Sequence, residues 1–143
     1  MNVLFDTSVL VPAFVDQLSN HPGAFETFST YTSVEHRGYC STHALAETYS
    51  VLTALPLQKK IHSVEARMLI EENIISRLHI VELDGNAYIR AINSAAHLGL
   101  GSGIVYDSLH VEAAKVASCS RIFTYNIVHF RSLCSEEILV TSP

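Results

Sequence analysis

Apolar positions along this chain change period several times, and each change marks an element. Asn2 to Phe5 is a short apolar run closed by Asp6, the pattern of a strand buried on both faces. Leu10, Phe14 and Leu18 then recur at i, i+4 and i+8 with Val11 and Val15 beside them. That spacing predicts a helix capped by Thr7-Ser8, with Pro12 tolerated in its first turn. Pro22 opens a second predicted helix that runs to about His36, with Phe25 and Phe28 on one face. Gly38 to Ser41 reads as a strand feeding a helix from about His43 to Leu55, whose stripe is Leu45, Tyr49, Leu52 and Leu55 and whose end is Pro56.

The second half repeats the alternation. A helix is predicted from Ser63 to about Ser76 with Met68, Leu69 and Ile75 toward the core, followed by a strand over Leu78 to Leu83. Asp84 caps the next helix, which runs to His97 and is closed by Gly99. Gly99, Gly101 and Gly103 make a flexible connector into a helix from about Tyr106 to Ala117. Arg121 to Thr124 and Ile138 to Val140 read as strands, with a short helix over Ile127 to Leu133 between them. Strands alternating with helices predict an α/β domain over residues 1–143, with a parallel sheet covered on both faces.

Composition narrows the class. Of 143 residues 48% are hydrophobic and 16% charged, enough apolar material for a core and too much for a disordered chain. The longest apolar run, Val9 to Val15, has seven residues, too few for a membrane span. No basic segment precedes an apolar stretch at the N-terminus, so the sequence predicts a cytoplasmic protein without a signal peptide. Cys40, Cys119 and Cys134 lack close pair spacing and read as small buried hydrophobes rather than a disulfide framework or zinc ribbon. The eight histidines are scattered and read mostly as surface or capping residues.

The candidate chemistry lies in the carboxylates. Only four of the fourteen acids are aspartates, and Asp16 and Asp84 have ordinary explanations as a turn and a cap. Asp6 ends an apolar strand, where open parallel sheets bind ligands; Thr7 and Ser8 could cap the next helix without desolvating a charge. Asp107 starts an apolar helix after a glycine-rich approach. Glu47 shares a face with Ala44, Val51 and Ala54, and no Lys or Arg stands within four positions to pair with it locally. Three such acids converging on one point would repel one another unless a hard divalent cation joined them. An all-oxygen site suits Mg²⁺ or Mn²⁺, and its favoured chemistry is displacement at phosphorus by a metal-activated water.

Four segments occur in a telling order: Val3-Leu-Phe-Asp6-Thr-Ser8, Ala46-Glu47, Tyr106-Asp107-Ser-Leu-His-Val-Glu-Ala-Ala114 and Phe123-Thr124-Tyr-Asn126-Ile-Val-His-Phe130. Together they span nearly the whole chain, which resembles PIN domains and most of all the short VapC-type ribonuclease toxins. The resemblance implies a three-layer α/β/α sandwich with parallel strand order 3-2-1-4-5 and a Mg²⁺- or Mn²⁺-dependent endoribonuclease. It implies that Asp6, Glu47 and Asp107 hold metal, that Ser8 and Thr124 support the site, and that a small cognate antitoxin silences the enzyme. At Asn126 many members carry a fourth acid, and an amide there can hold a cation or its water but adds no charge. His110 and His129 lie near this set as candidates for catalysis or RNA contact.

Other readings fit less well. A net charge of -5 is unusual for an RNA-binding surface, although three of those charges would be neutralised at a metal site. Lys59, Lys60 and Arg67 could line an approach route. An aspartyl-phosphate phosphatase needs an acid where Ser8 stands, and a receiver domain needs an acidic pair where Thr7-Ser8 stands. The remaining alternative is a PIN fold that has lost turnover through Asn126 and serves as an RNA-binding or interaction module. Apolar residues on helices, among them Phe25, Phe28, Met68 and Ile70, exceed what one small core can hide; with the resemblance, they predict a homodimer.

Overall fold

A computed structural model covering residues 1–143 shows five parallel strands, β1 (Asn2–Phe5), β2 (Arg37–Ser41), β3 (His79–Val81), β4 (Arg121–Phe123) and β5 (Leu139–Thr141). Their order across the sheet is β3-β2-β1-β4-β5, as expected. Seven helices connect them: α1 (Thr7–Ala13), α2 (His21–Tyr31), α3 (Thr42–Ala54), α4 (Ser63–Leu69), α5 (Gly85–His97), α6 (Ile104–Val116) and α7 (Ile127–Leu133). None is long and apolar enough to cross a membrane.

The pleat sorts the strand residues between two cores. Val3 and Phe5 of β1 pack with Val9, Phe28, Leu52 and Ile74 on one face, while Leu4 packs with Val111, Ile122 and Phe130 on the other. Phe123 joins the first core and its neighbour Ile122 the second. The sheet is therefore the middle layer of an α/β/α sandwich, with α1 to α4 contributing to one outer layer and α6 and α7 to the other.

Several boundaries differ from the sequence reading, each for a local reason. The first helix starts at Thr7, which puts Pro12 in its second turn, and it ends at Ala13 without reaching Leu18. Pro12 has no N–H to donate back, and the chain leaves through tight turns, with Phe14 N donating to Val11 O and Val15 N to Pro12 O. The second helix stops at Tyr31: Thr32 N and Oγ1 both donate to Phe28 O, and Ser33 N and Oγ both donate to Thr30 O, a carbonyl that a longer helix would use for its next bond. In α3 the buried positions are Ala44, Thr48 and Leu52, so the helix is rotated from the expected stripe and Tyr49 is exposed. After α4 the chain continues as a π-helical segment, Ile70–Ile75, that buries Ile70 and Ile74 and leaves Met68 and Ile75 outside.

Candidate active site

β1 and β4 are neighbours in parallel register, with Phe5 opposite Phe123, so the residues that follow them emerge side by side. Asp6 N donates to Phe123 O at 3.0 Å, extending the pairing by one residue. Beyond that point α1 packs on one face of the sheet and α7 on the other. This divergence opens the crevice in which α/β sheets bind ligands.

Asp6 occupies the N-cap position of α1, yet its side chain makes no capping bond. Its Oδ2 accepts instead from Ser8 Oγ at 2.6 Å and from Thr124 Oγ1 at 2.8 Å. Those hydroxyls are fixed in turn, because Tyr125 N donates to Ser8 Oγ and Asn126 N donates to Thr124 Oγ1, both at 2.9 Å. Asp6 is 1% exposed, and Oδ1 faces away from this clamp. There it meets His110 Nε2 at 3.4 Å, with Glu47 Oε1 at 3.5 Å from the same nitrogen.

His110 is the residue whose role the sequence reading understated. It lies one turn after Asp107 on α6, among core residues, and is fully buried. Ser41 Oγ, at the end of β2, accepts Ala44 N–H and stands 3.0 Å from His110 Nδ1. Nδ1 therefore engages Ser41, and Nε2 faces the two acids. The signal was present in Leu109-His110-Val111, a histidine flanked on both sides by core positions. Asp6, Glu47 and His110 offer ligand atoms all within 4.8 Å of one another.

Glu47 also has a local partner that a search for Lys and Arg alone overlooks: His43 Nε2, one turn earlier on α3, at 3.0 Å from Glu47 Oε2. Burial works against ionisation of Glu47, but hydrogen bonding to His110 and His43 outweighs it and holds the carboxyl well below its usual range. His110 is the converse: burial disfavours its cation, and the Glu47, Asp6 and Asp107 carboxylates overcome this and raise its pKa. Asp107, one turn before His110 on α6, is not part of the Asp6–Glu47–His110 group and has its Oδ2 3.1 Å from His129 Nδ1. Burial and the charge of Asp6 push its pKa up despite His129. Asn126 is exposed, lining one cleft with Asp6 and Glu47 and a second with Asp107 and His129.

Charge compensation separates these acids from Glu112, the other buried carboxylate. Glu112 is matched by Arg90 Nε at 2.9 Å and Lys115 Nζ at 3.0 Å. No Lys or Arg nitrogen lies within 4 Å of Asp6, Glu47 or Asp107; the basic side chains within that distance are histidines. Lys59 and Lys60 line a polar cleft with Asp16 and Gln17, and the charge of Arg67 is taken by Glu71 at 3.0 Å.

The PIN domain family model matches residues 3–134, from the first strand past the last helix. The chain belongs to the PIN domain family. As a PIN domain it is 32% identical over 113 residues to Ribonuclease VapC40 of Mycobacterium tuberculosis, covering 78% of each chain. Its fold is similar to that of VapC20 from the same species, a sarcin-ricin loop cleaving toxin, with a TM-score of 0.74 and 11% identity over 94% of this PIN domain and 97% of that chain. It is also similar to DNA-bound VapBC from Salmonella typhimurium, with a TM-score of 0.67 and 20% identity over 99% and 98% of the two chains.

Proposed function

We propose that this PIN domain is a divalent-cation-dependent endoribonuclease, the toxin of a toxin–antitoxin pair, with Asp6, Glu47, Asp107 and Asn126 as its active-site residues. The observation that carries the reading is the contrast with Glu112. Buried Glu112 is paired with Arg90 and Lys115, whereas Asp6 and Glu47 meet at His110, and Asp107, one turn before His110 on α6, has His129, all without an Arg or Lys. Carboxylate oxygens with no Arg or Lys partner fit a hard cation. The relative VapC40 carries the name ribonuclease, and the VapC20 neighbour cleaves the sarcin-ricin loop.

Asp6 through Oδ1, Glu47 and Asp107 would hold Mg²⁺ or Mn²⁺, which when bound supplies Lewis-acid polarisation and an activated water. Ser8 and Thr124 keep Asp6 pointing inward by occupying Oδ2. His43 and His110 fix the Glu47 carboxylate in its ionised form, and Asn126 offers an uncharged amide to a water or a phosphate oxygen. His129 hydrogen-bonds to Asp107 and restrains its carboxylate.

Cleavage mapping on total RNA with the purified chain tests this directly. Mn²⁺ should support site-selective cuts, and excess EDTA should abolish them; full activity in EDTA would refute the mechanism. Asp107→Asn should reduce the rate by on the order of a hundredfold or more, as expected for a lost cation ligand. Because its pKa is already raised by burial and by Asp6, removing that charge should not lower the unfolding midpoint. A folded protein that binds RNA but never cuts it would be the interaction module instead. The toxin role, with a small antitoxin as partner and a homodimer as the working form, is tested by expression in a bacterial host. Growth should arrest unless the adjacent small gene is co-expressed, and harmless expression of active enzyme would count against it.

A further inference from the structure

The acidic cleft does not end at Asn126. On its Asp107 side lies a second cleft of about 730 Å³, walled by the connector between α5 and α6 and by the first turns of α7. Its apolar side chains are unusually open for a position beside the Asp107 carboxylate: Val128 is 80% exposed, Leu98 43% and Leu100 39%, with Ile104 buried beneath them. No Lys or Arg lines it, so it is not built to seat a phosphate. The connector is held in an unusual shape, with Ser102 in the left-handed region at φ 58° and Gly99 at φ 66°. A serine kept at positive φ in a cleft wall suggests a function that offsets the strain.

We propose that this cleft seats one unpaired nucleobase of the RNA, next to the phosphodiester presented to the acids. Leu100, Ile104 and Val128 would take the faces of the base, and Ser102 and Asn126 its edge. The inference rests on the ribonuclease reading and adds a base preference at one position beside the cut. A base in single-stranded RNA is neutral and flat, with donors and acceptors only on its rim. That matches apolar walls with a few polar groups of both kinds, and no side-chain hydrogen bond occupies the Asn126 amide, whose two ends can donate and accept. Asn126 also lines the cleft that contains Asp6 and Glu47, so one strand of RNA could bring its phosphate to the acids and its base to this pocket.

The full chain, free of divalent cation, would be titrated with adenosine, guanosine, cytidine and uridine in turn and followed through backbone amide NMR shifts. At least one nucleoside should shift the amides of residues 99–104 and 127–132 saturably, with a Kd on the order of millimolar, and Val128→Glu should weaken it about tenfold. Leu100→Ser, at another open position, is the second variant should the first fail to fold. Silence from all four nucleosides overturns the proposal. A response at the same amides to N-acetylleucinamide but to no nucleoside marks a peptide site and overturns it too. Nucleosides contain no phosphodiester, so the two readings fail separately. Saturable nucleoside binding with RNA left uncut removes the ribonuclease and keeps the base site; RNA cut without base preference, and with silent nucleosides, does the reverse.

Discussion

Thr124 is a single hydroxyl with two duties, donating to Asp6 Oδ2 and accepting from Asn126 N. Thr124→Val keeps the shape but leaves a buried carboxylate oxygen and a backbone N–H short of a partner. Denaturant unfolding should show a loss of about 1–3 kcal/mol, and Thr124→Ser should recover most of it. Asp6 was legible because a charge at the end of an apolar strand stands out, whereas support from Ser8 and Thr124 was expected from the resemblance alone, and Thr7-Ser8 by itself read as a cap. His43 and His110 were not legible, because a histidine in an apolar helix looks the same whether it fills a core or faces an acid. The thiols allow a test with a worked sign. Burial raises Cys40 and Cys119 from about 9 to about 12, so the fold favours the neutral thiol. Their contribution to stability is present below about pH 9 and is lost as pH climbs toward 12. Unfolding free energy should therefore fall between about pH 9 and pH 11, and less steeply in Cys40→Ala, which has no thiolate to bury. Equal slopes for the two proteins would show that Cys40 does not titrate with unfolding.

At the scale of elements, what was legible followed from strong local chemistry. Asp84 was expected to cap a helix ending at His97 and does, accepting from Ala87 N at 2.9 Å, and Gly99 closes that helix at positive φ. Asp84→Ala should cost about 1 kcal/mol, read as a lower unfolding midpoint, while Asp84→Ser should be nearly neutral. The short helix Ile127–Leu133 was placed to the residue, since Asn126 before it and the serine and cysteine after it leave little choice. The misses have two causes. The rotation of α3 and the π-helical turns after α4 depend on how the helices pack against the sheet, and the apolar stripe alone admits neighbouring rotations. Ends set by Pro12, Thr32 and Ser33 depended on which side chain would take a carbonyl or deny an N–H, which periodicity does not register.

For the whole molecule the remaining question is where the surplus apolar surface goes. Of the four side chains that suggested a dimer, Phe28 and Ile70 lie in the core, while Phe25 is 45% and Met68 44% exposed. A further open apolar surface is formed by Tyr49 on α3, Val64 on α4 and Ile75 of the π-helical segment, 41%, 60% and 48% exposed, around a cleft of about 370 Å³. Arg67 and Glu71 sit at its edge and neutralise each other, so two copies could meet there without burying net charge. A stable pair needs roughly 800 Å² from each partner, near a tenth of the 7633 Å² that this chain exposes. Light scattering at micromolar concentration should therefore return twice the chain mass of 15.8 kDa. Val64→Lys would place like charges opposite each other across a two-fold axis and should return the monomer with its fold intact. Ile92→Lys, on the open face of α5 where Ile89 and Ile92 are 57% and 53% exposed, is the comparison that should leave the pair together. If the two variants behave the other way round, the molecule pairs through α5. A clean monomer for the unsubstituted chain would overturn the dimer altogether.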